Sequence, residues 1–103
     1  WYRDLGSGMG PTLNTAAGMN AYVMSDRATW LSFSNPQDLK ILFQGDKVLF
    51  NQYGSVLISP ERHPELKHDL AGQWHEWLLS DEGQAAIAEH KINGQQLFFP
   101  NAH

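Results

Sequence analysis

Three glycines fall within five residues in Gly6-Ser7-Gly8-Met9-Gly10, and Pro11 and Thr12 follow at once. Glycine lets a backbone come close to a bound group. Proline suits the first turn of a helix, where its missing N–H costs nothing. A glycine loop that runs into a helix start presents free N–H groups and the positive end of the helix dipole. That combination is a general anion site. Arg27 comes fifteen residues after Thr12, beyond the short apolar run Ala21-Tyr22-Val23-Met24, and could bring a charge to the same place. The simpler alternative is a flexible turn in front of an ordinary helix.

The elements that would hold these residues alternate between helix and strand. Pro11 to about Asn20 is a predicted helix with Leu13, Ala16 and Ala17 on one face. Gly18 weakens its end. Ala21–Met24 is a short buried strand, and Ser25 caps a helix running from Ala28 to Phe33. Asn35-Pro36 stops that helix. Leu39–Phe43, Val48–Phe50 and Tyr53–Ile58 are extended, the last rich in β-formers. Pro64 to Leu79 is a helix with Leu66, Leu70, Trp74, Trp77 and Leu78 along its apolar side. Ser80 caps a further helix from Asp81 to about His90. Asn93-Gly94 signals a turn, and Leu97–Phe99 is a terminal strand or packed tail. This alternation predicts an α/β fold.

Composition sets the outer limits. The 103 residues suit one small domain's worth of chain, and 42% of them are apolar. The twelve aromatics can bury large areas. There is no run of 18 apolar residues that would span a membrane. Cysteine is absent, which excludes disulfides and thiolate metal sites. The net charge is −4, with seven of the eleven carboxylates beyond residue 50. No basic stripe is present, so nucleic acid is not an expected partner.

The sequence resembles the tungstate-binding proteins of bacterial ABC importers. The resemblance is carried by Gly8-Met9-Gly10-Pro11-Thr12-Leu13-Asn14, by Ala21-Tyr22-Val23-Met24-Ser25-Asp26-Arg27-Ala28-Thr29 and by Leu49-Phe50-Asn51-Gln52-Tyr53-Gly54. It continues through Ser80-Asp81-Glu82-Gly83-Gln84-Ala85-Ala86-Ile87 and Gly94-Gln95-Gln96-Leu97-Phe98-Phe99-Pro100-Asn101-Ala102. Members of that family are more than twice this long. Their Thr/Ser-rich N-terminal loop and central Ser-Arg-Gly-Asp…Ser-Gly-Thr segment have no counterpart here. The resemblance therefore implies the C-terminal part of a longer periplasmic or extracytoplasmic solute-binding protein, with its signal peptide expected upstream of Trp1.

The implied fold is a partial periplasmic binding protein of type II, with pieces of two lobes. Residues 1–51 would belong to the second ligand-binding lobe. Residues 52–103 would make the hinge return and the C-terminal part of the first lobe. Both sheets would then have unfilled edges, which invites a homodimer or strand exchange. The implied partners are the oxyanion and the membrane permease of an ABC transporter. No cofactor is implied beyond the ligand, tungstate or molybdate.

Such an anion has four oxygens and is fully deprotonated at neutral pH. A selective site must therefore offer donors and avoid carboxylates. The candidates are the backbone N–H groups of Met9 and Gly10, the hydroxyls of Thr12 and Ser25, and the guanidinium of Arg27. Each has an ordinary alternative. Met9 could simply pack, Thr12 could satisfy its own turn, and Ser25 could be a helix cap. Arg27 could be a surface charge or an inter-lobe ion pair. Tyr22 could line a cleft or sit in a core.

Two other classes are weaker. His63, His68, His75, His90 and His103 lie in the acidic half, and His68 and His75 are seven apart on one helical face. Their spacing matches no metal signature, so no metal site is expected. No nucleophile elbow, zinc-protease motif or P-loop lysine occurs, so no enzyme is expected. A ligand-sensing domain of a regulator, built on the same fold, is the alternative to transport.

Overall fold

A computed structural model describes residues 1–102. The chain divides into two units, Trp1–Asn51 and Gln52–His103.

In the first unit, helix α1 covers Met9–Met19 and helix α2 covers Arg27–Ser32. Leu13, Ala16 and Ala17 are the buried residues of α1, the i, i+3, i+4 face expected of an amphipathic helix. The helix starts two residues before Pro11, which stands in the first turn where its missing N–H has no intrahelical acceptor to lose. Its end is a Schellman cap. Asn20 takes the left-handed conformation at φ 50°, its N–H donates to Ala17 O, and Ala21 N–H donates to Ala16 O at 3.0 Å. Helix α2 packs against α1, and Trp30 meets Phe33 at 6.4 Å between ring centroids. A 3-10 turn at Lys47–Leu49 is capped by Asp46, whose Oδ1 accepts from Val48 N–H at 2.9 Å.

In the second unit, α3 covers His68–Leu79 and α4 covers Asp81–Glu89. Ser80 forms the corner between them. Its Oγ accepts from Gly83 N–H at 3.1 Å and donates to Trp77 O at 2.6 Å, so one hydroxyl closes one helix and opens the next. A hairpin follows, with β1 at Lys91–Ile92 and β2 at Gln95–Gln96, antiparallel, pairing Lys91 with Gln96 and Ile92 with Gln95. Its two-residue turn has φ 51° at Asn93 and 75° at Gly94, the pattern of a type I′ turn. Gln84 fastens the C-terminal tail. Its Nε2 donates to Leu78 O at 2.6 Å and its Oε1 accepts from Ala102 N–H at 3.0 Å. Asn101 and Gln52 exchange two amide bonds of 3.0 and 3.2 Å. Leu97 is buried, and Phe98 meets Tyr53 edge to face at 5.6 Å.

The α/β expectation is corrected at four places. Ala21–Met24, Leu39–Phe43 and Tyr53–Ile58 form no ladder, and Val48–Phe50 is largely the 3-10 turn, while Leu97–Phe99 takes the packed-tail alternative. The only ladder among the described residues is the β1–β2 hairpin. β-propensity records how well a side chain fits a pleated, half-buried surface. These segments have the right side chains and no adjacent strand. The helix expected from Pro64 starts at His68 instead, because Lys67 lies at φ −82°, ψ 68°, outside the helical region. Residues 59–66 make turns, with His63 N–H donating to Ser59 O. The apolar side expected for that helix is also more open than its pattern suggests. Leu70 and Trp74 are exposed, Trp77 and Leu78 half-buried.

Candidate functional site

Met9, Gly10 and Thr12 lie in the first turn of α1, and Ser25 and Arg27 flank the Asp26 cap of α2. Met9 and Gly10 open α1 and are half-buried. By position their N–H groups have no intrahelical acceptor. The N-cap is Gly8, which offers no side chain, and no acidic residue stands in the first turn. The positive end of the α1 dipole is therefore left uncompensated by a local carboxylate.

Thr12 sits one turn in. Its hydroxyl donates to Gly8 O at 2.9 Å and lies 3.2 Å from the Ser7 hydroxyl. With the Thr12 proton directed at Gly8, Ser7 is the donor of that pair. The loop thus links Ser7 and Thr12 across the helix start. Ser7 escaped the sequence reading, although its place between two glycines five residues before Thr12 was a usable signal. The carboxylate closest in sequence, Asp4, accepts from Gly6 N–H at 2.9 Å.

Ser25 and Arg27 stand at the start of α2. The cap there is Asp26, which corrects the role expected of Ser25. One carboxylate oxygen of Asp26 accepts from both Thr29 N–H and Thr29 Oγ1, each at 2.8 Å. A carboxylate is an acceptor only and carries charge, so it outcompetes a neighbouring hydroxyl for the orphan amides. The Ser25 hydroxyl donates instead to Asp26 O at 2.9 Å. Asp26→Ala is expected to cost about 1 kcal/mol and Ser25→Ala only a few tenths. Urea unfolding of the two variants, followed by circular dichroism, checks that order.

Arg27 is half-buried, and its Nη1 lies 3.4 Å from Gln44 Oε1. Sequence spacing gave no sign of this partner, which is seventeen residues away. Tyr22 is fully exposed, so it is no core residue of this unit.

The structure therefore ties Thr12 to the Met9–Gly10 helix start. It ties Arg27 to Gln44 and Ser25 to the Asp26 cap, on the helix that packs beside α1. A groove of about 280 Å³ in the second unit has apolar walls of Val56, Leu57, Ile58, Leu66 and Ala71, with Lys67 and His68 at its side. Its chemistry does not suit a doubly charged anion.

The histidines do not converge. His68 Nε2 contacts His63 O at 2.5 Å, His75 Nδ1 contacts Ser55 Oγ at 2.8 Å, and His63 faces Glu65 at 3.5 Å. No group of three or more metal-ligating side chains forms among the described residues. His103 lies outside them. Among the described residues no helix is long and apolar enough to cross a membrane.

Comparison with known proteins puts this geometry in context. A putative ABC transporter anion-binding protein of Haloferax volcanii is 42% identical over 99% of this chain and 31% of its own length. The tungstate-binding protein TupA of Peptoclostridium acidaminophilum is 38% identical over 99% of this chain and 36% of its own. The protein of the same name from Campylobacter jejuni is 26% identical over 99% of this chain and 39% of its own. The chain thus spans about a third of the length of the curated relatives it matches. No solved structure gives a significant match. The family model of the PBP superfamily domain matches residues 4–82, most of the chain, and the chain belongs to that superfamily.

Proposed function

We propose that this chain binds a tetrahedral oxyanion, tungstate or molybdate, as part of an extracytoplasmic solute-binding protein that serves an ABC permease. The observation that carries this reading is the match of 99% of the chain to relatives named for anion or tungstate binding. The first-turn amides of Met9 and Gly10 are the principal donors, at a helix start with no acidic residue in its first turn. Thr12 and Ser25 supply hydroxyls once their protons turn from Gly8 O and Asp26 O. Arg27 supplies the charge. Binding is proposed to close two lobes about a hinge, with the closed form recognised by the permease. Residues 1–51 are assigned to the second lobe, and residues 52–103 to the hinge return and the first lobe. Unfilled sheet edges in such pieces favour pairing with a second copy, by dimerisation or strand exchange.

The test is a thermal-shift titration of the full chain with tungstate, molybdate, sulfate and phosphate. An anion at 100 times its dissociation constant stabilises by about 2.7 kcal/mol. A shift with tungstate or molybdate and none with sulfate or phosphate is the expected result. No shift with any anion would remove the site from these residues.

A further inference from the structure

The chain passes from one unit to the other between Asn51 and Gln52, and the residues on either side of that point are held very differently. On the second-unit side the hold is immediate. Gln52 Nε2 donates to Asn101 Oδ1 at 3.2 Å and to Tyr53 O at 3.0 Å, and its Oε1 accepts from Asn101 Nδ2 at 3.0 Å. An amide carries both donors and an acceptor, so a pair that exchanges two bonds fixes orientation as well as distance. The Tyr53 ring then meets Phe98 edge to face, with planes at 88°. Two residues on, Ser55 Oγ lies 2.8 Å from Nδ1 of His75 on α3.

The partners of Gln52 and Tyr53 are themselves anchored. Residues 97–102 run from the buried Leu97 to Ala102, whose N–H donates to Gln84 Oε1 on α4 at 3.0 Å. Gln84 Nε2 reaches on to Leu78 O near the end of α3. Gln96 Nε2 donates to Phe98 O at 2.8 Å and braces the stretch where Tyr53 meets it. On the first-unit side the last bond is Phe50 N–H to Lys47 O at 3.2 Å, which closes the 3-10 turn. Asn51 lies between these two holds, and no hydrogen bond or ring contact fixes it among the described residues.

We propose that residues 97–102 act as a strap that binds Gln52 and Tyr53 into the second unit, so that the connection between the units turns at Asn51. Hinges are a few loop or element-terminal residues that absorb the change in φ and ψ. A turn at Asn51 leaves every bond of the strap in place, whereas a turn at Gln52 or Tyr53 would have to break the amide pair or part the two rings. The strap therefore decides on which side of the boundary the backbone gives way.

This inference rests on the division into two units and on the bonds of the strap, not on the oxyanion site, so the experiment is run without any oxyanion. Nitrogen-15 relaxation of the full chain gives an order parameter for each amide. Gln52 and Tyr53 are expected near the value of α3 and α4, about 0.85, with Asn51 clearly below them. Asn101→Leu removes both amide bonds and is expected to drop Gln52 and Tyr53 below about 0.6, with α3 and α4 unchanged. Asn101→Asp keeps the acceptor for Gln52 Nε2 and loses the donor, so it should fall between. Gln52 and Tyr53 as mobile as Asn51 in the unaltered chain would overturn the strap, as would no response to Asn101→Leu. An Asn51 as rigid as its neighbours would overturn the pivot. A loss of order spread over α3 and α4 in Asn101→Leu also overturns the proposal, because Asn101 would then support the whole unit.

Discussion

Replacing Gly83 by alanine is expected to break the α3–α4 corner and unfold the second unit. A Cβ on Gly83 would lie 2.0 Å from Trp77 O, 2.9 Å from Trp77 C and 3.2 Å from the Leu78 Cα. All three atoms are backbone, so no side chain can swing aside to make room. The glycine is the buried residue of α4, and its N–H is the donor that Ser80 caps. Relieving the clash therefore means pulling α4 away from its cap and from the end of α3. Overpacking alone costs about 1–3 kcal/mol, and the loss of the cap adds about 1. A body of roughly 50 residues holds only about 3–8 kcal/mol in total.

Gly72 provides the control. It lies within α3, and a Cβ there would meet nothing within 4 Å. Gly72→Ala is expected to stabilise the helix by up to about 1 kcal/mol. Guanidinium unfolding followed by circular dichroism should move in opposite directions for the same chemical change. Equal effects would sink the steric account.

Leu13→Ala is the second large effect. Leu13 is fully buried, the largest such side chain among the described residues, and Ala16 and Ala17 on the same face have little bulk to close over a cavity. A Leu→Ala change at such a site costs about 2–5 kcal/mol. That is most of what the first unit has. The variant should lose protection of the α1 amides from hydrogen exchange, while the amides of α3 and α4 keep theirs. Because α1 carries Met9, Gly10 and Thr12, the proposed oxyanion response should vanish with it.

The helices were legible in the sequence because their determinants are local. Leu13, Ala16 and Ala17 repeat at helical spacing, Ser80 caps the helix after it, and Asn93-Gly94 demands the turn that it makes. The strands were not, because a strand is defined by its neighbour. Tyr53–Ile58 has the right residues, and nothing within 103 positions tells whether a second strand lies beside it. The candidate site divides in the same way. The glycine loop and the amides of Met9 and Gly10 follow from sequence alone. The choice of Asp26 over Ser25 as cap, and the pairing of Arg27 with Gln44, follow from competition among acceptors and from tertiary placement. Neither has a spacing signature.

The aromatic pairs give each unit its own optical voice. Trp74 and Trp77 stack with centroids 5.2 Å apart and planes 22° from parallel. Two indoles that close couple their excited states and produce a paired circular-dichroism band that a lone tryptophan lacks. Trp30 stands beside Phe33 and has no second indole to couple with in its unit's helical pair. Loss of the coupled band therefore reports α3 alone. One sample of intact chain, heated once, reveals whether its two halves melt together or in turn.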